Sequence, residues 1–178
     1  MSSVPTALKL ELDREKMLSE CVRAFGAMIE DVVGADDARG YVSIVGERIG
    51  EFVAAEIAKG VDFESLSIDQ MADLLVEVQN LLGGCFDVEV QNGHQIRLTN
   101  TQCPYSTQFA GRQSLCTLTS SIMGTVASMC NGQARVQLLE TIAQNGACCR
   151  AVVHLDGSHG AGVTYWKRCR SGVDESGS

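Results

Sequence analysis

The hydrophobic pattern of this chain changes its period at Gly83-Gly84, and this change limits the fold more than any other feature. Before these glycines, apolar residues recur every three or four positions, which is the repeat of amphipathic helices. After them, Phe86 and Val88 alternate with polar residues, as in a half-buried strand. The chain therefore combines helices with a sheet, and helices come first.

Three helices are expected before the glycine pair, over about 13–33, 36–59 and 67–82. Gly34 would stop the first in a left-handed conformation and Gly60 would close the second, and Ser67 with Gln70 resembles a capping box for the third. Cys21 lies within the apolar stripe of the first helix and is expected in the core. The second helix is expected to direct its own stripe inward: Tyr41, Val42, Ile44, Val45, Ile49, Phe52, Val53 and Ile57.

The second half predicts two strand pairs around a fourth helix. Asn92-Gly93 suits a tight turn between strands 85–91 and 94–99. Ser114 is expected to cap a helix that runs to about residue 130, and Asn145-Gly146 to join strands 134–141 and 147–155. Short turns favour antiparallel pairing. We therefore predict an α+β domain, with a four-stranded antiparallel sheet, helices packed on one face and the order ααα-ββ-α-ββ.

Length and composition bound the function. The 178 residues suit a single domain over 13–156, with a weakly ordered lead-in at 1–12 and a flexible tail at 157–178 that contains Trp166. A net charge of −8 disfavours direct nucleic-acid binding. With no apolar run of roughly 18 to 20 residues and no signal-peptide pattern, a cytoplasmic protein without membrane contact is expected.

Eight cysteines give the chain its most distinctive chemistry. Without an export signal we expect reduced thiols that act as metal ligands, as redox groups or as small apolar core residues. Cys103 lies in a loop, Cys116 in the first turn of a helix and Cys149 at the start of the last strand, so the three can converge. Three cysteines suit an iron–sulfur cluster or a zinc ion.

The remaining candidates are ranked by position. The positive end of the helix dipole is expected to favour the Cys116 thiolate, and Arg112 and Arg150 would add to that field. Cys148 faces away from Cys149 on its strand, and Cys130 lies about 21 Å along the helix from Cys116, so both are weaker ligand candidates. Arg112, Glu140 and Arg150 are the supporting candidates around an effector or metal.

The run CPYSTQFAGRQSLCTLTSSIMGTVASMCNGQARVQLLETIAQNGACCRAVVHL resembles the methanogen output domain 1 family of signalling proteins. EDVVGADDARGYVSIVGERIGEFV resembles the upstream part of its bacterial members, so the resemblance covers about 13–155. The last segment is more distantly similar to 4-vinyl-reductase-type ligand-sensing domains. The resemblance implies a signal-transduction domain partnered with a histidine kinase, response regulator or transcription factor. It also implies that the site is formed by Cys103 with Pro104, Cys116, Gly124, and Cys149 with Arg150.

Family resemblance and residue chemistry leave several functions open. The leading hypothesis is a homodimeric regulatory sensor with a metal, iron–sulfur or redox site at Cys103, Cys116 and Cys149. The alternatives are a pocket for small apolar or aromatic effectors with structural cysteines, and a dimerisation module built on the stripe of the first helix. An enzyme is not expected, because no phosphate loop, HExxH motif or triad order is present.

Overall fold

The computed structural model describes residues 14–105 and 113–168 and forms an α+β fold. Within these two ranges the helices are α1 (Arg14–Val33), α2 (Ala35–Ile57), α3 (Ile68–Leu81) and α4 (Ser114–Asn131). Gly34, at φ 84°, separates α1 from α2, and the capping box between Ser67 and Gln70 opens α3, as predicted. Ser114 does not cap α4. Its backbone N–H instead donates to Glu30 Oε1 at 3.0 Å, so a carboxylate from α1 binds the start of that helix.

In the described part of the chain, the strands form one antiparallel sheet of five rather than the predicted four. They are β1 (Phe86–Asn92), β2 (Gln95–Asn100), β3 (Gln133–Glu140), β4 (Cys149–His154) and β5 (Val163–Trp166). Their spatial order is β1-β2-β4-β3-β5. The predicted number of strands was therefore wrong by one. The segment expected to be a tail supplies the fifth strand, and Trp166 ends it.

One face of the sheet carries the core. Ile96, Val153 and Val136 form a buried row across three neighbouring strands, and α3 and α4 pack over this face. Helix α4 is central, because every residue from 120 to 128 is buried. Helix α2 packs chiefly on α4, which makes it an outer layer. The prediction of helices on one face agrees with this arrangement.

Glycines allow α2 to approach α4 closely. A Cβ at Gly46 would lie 2.7 Å from Ser121 Cβ, and one at Gly50 would lie 2.7 Å from Thr125 Cβ. Ala38, Val42 and Ala54 continue this small-residue side of α2 and are also buried. The buried side of α2 is thus narrower than its apolar stripe predicted.

Several residues expected in the core are exposed instead. Cys21 is exposed, and Phe25 on the same helix keeps 65% of its surface. The large side chains of α2 that were predicted to point inward but lie on the surface are Tyr41, Ile44, Val45 and Phe52. The periodicity of these helices was read correctly. The inward side was wrong for the residues named above, whereas Val42, Ile49, Val53 and Ile57 of the predicted α2 stripe do pack on the core.

Arg135 holds the connection that leads into β5. Its guanidinium donates to Ser158 O and Ser158 Oγ, each at 2.9 Å, and to Ala161 O. On the strand itself, Tyr165 OH lies 3.0 Å from Ser121 Oγ, which lies 3.1 Å from Ser43 Oγ. The fifth strand is therefore tied to β3, α4 and α2 by buried polar contacts.

Over residues 14–105 and 113–168, no helix is both long enough and apolar enough to cross a membrane.

Candidate functional site

A cavity of about 120 Å³ lies between the first turns of α4 and the sheet, and we call it the thiol cavity. Its walls come from the ends of β2 and β3, the start of β4, and the loop after β2. Its lining is mostly apolar: Phe86, Asn100, Cys103, Pro104, Tyr105, Leu115, Cys116, Thr119, Ser120, Met123, Leu138, Thr141, Ile142, Ala143, Cys149 and Ala151.

Three sulfurs predicted to converge line this cavity. Cys116 lies on α4, Cys149 begins β4, and Cys103 lies in the loop after β2. All seven cysteines among the described residues are free thiols. The structure thus brings Cys103, Cys116 and Cys149 together, while their role as ligands stays a prediction.

The two weaker candidates lie elsewhere. Cys148 is buried, and its Sγ is 3.8 Å from Glu140 Oε2. Cys130 lies near the far end of α4, with Sγ 3.9 Å from Val126 O. Burial raises the pKa of the Cys130 thiol to about 11. Neither sulfur lines the thiol cavity.

Burial favours the protonated form of two cavity thiols, Cys116 and Cys149. It raises the pKa of Cys116 to about 12, and the neighbouring Cys103 and Cys149 raise it further, while a hydrogen bond with Thr141 opposes them. Burial also raises the pKa of Cys149, although the Ile142 N–H donates to its sulfur at 3.4 Å. The expectation that the dipole of α4 favours a Cys116 thiolate was wrong, because loss of hydration outweighs the dipole at this depth.

Polar groups at the cavity wall are few and already hydrogen-bonded. Asn100 is 1% exposed, and its Oδ1 accepts from Cys85 N at 2.8 Å and from Gln102 N at 3.2 Å. Burial raises the pKa of Tyr105 to about 12, while its hydrogen bond with Thr119 acts in the opposite direction. The wall therefore offers an uncharged surface with a few polar points.

Sequence reasoning missed Asn100 and Tyr105. A signal for Asn100 was present, since it continues the phase of Ile96 and Leu98, and all three are buried. A polar residue in the buried phase of a strand indicates a side chain that has found internal partners. Tyr105 directly follows the Cys-Pro pair, but nothing in its spacing indicated that it would turn inward.

Metal ligation receives no geometric support from the part of the chain that the structure describes. There, no group of three or more His, Cys, Asp or Glu side chains is placed to hold a metal ion. Thiolates are the metal-binding form of cysteine, and burial opposes that form at Cys116 and Cys149. The iron–sulfur cluster and the zinc ion therefore stay predictions.

The predicted supporting residues have separate surroundings. Pro104 lines the cavity. Gly124 lies under Tyr165, where a Cβ would be 2.0 Å from the ring carbon Cδ2. Glu140 accepts from Ala147 N at 2.9 Å and pairs with Arg150, so it closes the connection between β3 and β4. Arg112 falls outside the described residues.

Two solved structures share this fold. The phenol-responsive sensory domain of the transcription activator PoxR, crystallised with phenol, has a TM-score of 0.62 at 15% identity, over 77% of this chain and 74% of that one. Trafficking protein particle complex subunit 3 from Naegleria fowleri, covalently bound to palmitic acid, has a TM-score of 0.63 at 12% identity, over 86% and 99%. No curated protein matches the chain significantly.

Sequence comparison with protein families gives a match to methanogen output domain 1 over residues 22–154. The match includes α2 to α4 and the first four strands, and with them all the residues that line the thiol cavity. It spans well over half of the 178 residues. The chain therefore belongs to the methanogen output domain 1 family.

Proposed function

We propose that this chain is a regulatory sensor domain that binds a small, uncharged, mostly apolar molecule in the thiol cavity. The observation that carries the proposal is a mostly apolar site of about 120 Å³ beside the central helix. In another protein, an engineered apolar cavity of about 150 Å³ stays dry and binds benzene. A site of this size therefore suits a single aromatic ring or a molecule of similar bulk.

The protonation of the wall favours the same ligand class. Because burial raises the pKa of Cys116 to about 12, its sulfur is neutral near pH 7 and behaves as a small apolar group. A charged ligand would lose its hydration without gaining an opposite charge from these thiols. The fold shared with the PoxR sensory domain, which was crystallised with phenol, supports an aromatic ligand.

A route for the signal leads from the cavity to α1. Leu115 lines the cavity, and on its other side it packs against Gly26, where a Cβ would lie 2.7 Å from Leu115 Cδ2. Glu30 of α1 binds the backbone of the adjacent Ser114. A molecule that displaces Leu115 would therefore shift α1. We propose that a signalling partner reads this shift, namely a histidine kinase, response regulator or transcription factor.

Isothermal titration calorimetry with phenol as the probe tests the cavity. We expect saturable binding to the wild type and at least about tenfold weaker binding to Ala143→Leu, which fills the cavity from the β3–β4 connection. Ala147→Leu is the matched control, because Ala147 is exposed on the same connection. Cys116→Ala is expected to bind within about threefold of the wild type, since the thiol contributes apolar volume.

Equal phenol binding by Ala143→Leu and the wild type would contradict the cavity as the site. No detectable binding of phenol, benzene or toluene to a folded wild type would contradict the ligand class.

A second candidate is a metal, iron–sulfur or redox sensor, and one observation favours it: three thiols line a single cavity. Bound metal would replace the protons of Cys103, Cys116 and Cys149, which overcomes the effect of burial. Anaerobic purification followed by a visible spectrum and metal analysis tests this version. About one equivalent of zinc, or iron with sulfide, that is lost in Cys116→Ala would support it.

A further inference from the structure

We propose that a second copy of this chain seats on the exposed apolar side of α1, with the two α1 helices antiparallel. The inference is independent of the proposed ligand, since it concerns a surface outside the thiol cavity. The apolar side of α1 faces away from the core of the protein. Six large apolar side chains of α1 are 38–76% exposed. They form the apolar stripe: Met17, Leu18, Val22, Phe25, Met28 and Val32.

The side of α1 that faces the body of the protein is small and polar. Gly26 packs on Leu115, Glu30 binds Ser114, and the Arg23 side chain is 16% exposed. At 100° per residue, these positions lie on the opposite side of the helix from the centre of the apolar stripe. A 20-residue helix that directs its apolar side to water is not stable by itself. The stripe is therefore left uncovered by the part of the chain that the structure describes.

The area of the stripe suits a dimer. Six large side chains, each about half exposed, offer on the order of 100 Å² apiece, or roughly 600 Å² per chain and 1,200 Å² for two copies. That total reaches the lower bound of stable protein interfaces, whereas the largest patch on a monomer is usually about 300–600 Å². Helix α2, joined to α1 through Gly34, adds four more exposed large side chains.

The charges at the two ends of α1 favour a second copy bound in antiparallel orientation. Arg14 lies in the first turn of α1, on the side of the apolar stripe, and Asp31 lies at the flank of the stripe in the last turn. This order is the reverse of what the dipole of a single helix favours. An antiparallel copy would place the basic start of one stripe beside the acidic end of the other. The stripe runs from 17 to 32 with Phe25 near its centre, so a two-fold axis there makes it self-complementary.

Sedimentation velocity of the full chain at about 20 µM tests the occupant. We expect a dimer for the wild type and a folded monomer for Phe25→Asp, with at least about a 100-fold rise in the dimer dissociation constant. Leu81→Asp is the matched control, because Leu81 is 79% exposed on α3, and it should stay dimeric. Circular dichroism verifies that both variants are folded.

Thiol alkylation gives an independent readout on the wild type. Cys21 and Cys85 are both exposed on a single chain, but only Cys21 lies on the side of α1 that the second copy would cover. We expect iodoacetamide to modify Cys21 at least about tenfold more slowly than Cys85 in the wild type. The two rates should become similar in Phe25→Asp.

Charge reversal tests whether the two α1 helices of the dimer are antiparallel. Arg14→Glu and Asp31→Lys should each weaken the dimer, and the double variant should restore it. A double variant as weak as the two changes combined would overturn the antiparallel arrangement. A monomeric wild type, a dimer unaffected by Phe25→Asp, or a monomer that pellets with neutral phosphatidylcholine vesicles would overturn the second copy as the occupant.

Discussion

Two opposing effects meet at the Cys116 sulfur. Its place in the first turn of α4 exposes it to the positive end of a helix dipole, which favours the thiolate by a fraction of a pKa unit to about one unit. Its burial favours the neutral thiol, and the pKa rises to about 12. Burial prevails because desolvation of an anion costs more than a partly screened dipole returns. The sulfur therefore lines the cavity as an uncharged group.

This protonation predicts a pH effect on stability. The unfolded Cys116 thiol ionises near its ordinary pKa of 9.0, whereas the folded one holds its proton to about 12. The unfolded state is therefore favoured as the pH rises above 9, by at most about 1.4 kcal/mol per pH unit. Urea unfolding at pH 8 to 10 should show a steeper loss for the wild type than for Cys116→Ala. Parallel curves would contradict the buried neutral thiol.

The sequence predicted which cysteines lie together, but it did not predict whether their thiols are protonated. Cys103, Cys116 and Cys149 stood out because each begins or precedes a predicted element, and element ends meet at one edge of a layered fold. Their protonation depends on the depth of burial, which a pattern of residue types does not contain. The same limit explains Cys21: its place in an apolar stripe was visible, but the direction of the stripe was not.

Among the elements, α4 is enclosed on several sides, and its glycine shows how tightly. Gly124→Ala places a methyl group against the Tyr165 ring, 2.0 Å from Cδ2 before any adjustment. We expect a loss of about 1–3 kcal/mol in the free energy of unfolding, since the ring is fixed by Ser121. Gly40→Ala on α2 is the control, because nothing lies within 4 Å of its Cβ.

Both substitutions increase helix propensity. The difference between their effects on the free energy of unfolding therefore reports the packing of Gly124 against Tyr165. Gly40→Ala should raise the free energy of unfolding by up to about 1 kcal/mol. Urea denaturation of the two variants measures the difference. A stabilised Gly124→Ala would mean that Tyr165 does not lie against α4.

Strand β5 depends on one buried arginine. Arg135→Ala removes the hydrogen bonds that hold Ser158 and Ala161, and bonds to a charged group contribute about 1.5–3 kcal/mol. We expect the amides of β5 to exchange with deuterium at least about tenfold faster, while those of β4 change little. Arg48→Ala, at an arginine whose side chain is 74% exposed, should leave exchange in β5 unaltered. Uniformly faster exchange across the sheet would contradict this local role.

The predictability of the elements follows the strength of their patterns. Helices α1 to α4 and strands β1 to β4 have long periodic runs, glycine stops or Asn-Gly turns, and their predicted ends lie close to those observed. Strand β5 has four residues in a segment rich in glycine and serine. Its order comes from Arg135 and from pairing with β3, which are contacts distant in sequence. A prediction from local sequence composition therefore treats this segment as a flexible tail.

On the scale of the whole molecule, the two proposals concern two surfaces, which are the mostly apolar thiol cavity and the exposed apolar stripe of α1. Leu115 lies between them, since it lines the cavity and contacts Gly26 of α1. If both proposals hold, phenol should change the dimer dissociation constant, because the two sites share this contact. Sedimentation velocity with and without saturating phenol measures that coupling, and an unchanged constant would separate the two surfaces.

The proposal that a small, mostly apolar molecule binds in the thiol cavity is tested most directly by locating such a molecule there. A crystal structure grown with 4-iodophenol allows this, because the iodine atom can be located by its anomalous scattering. If the thiol cavity is the binding site, we expect an iodine peak inside it, between Met123 of α4 and Ala151 of β4, with Cys116 and Cys149 unmodified. Iodine found only on the surface, with the cavity unchanged or filled by a metal ion held by the three sulfurs, would contradict it.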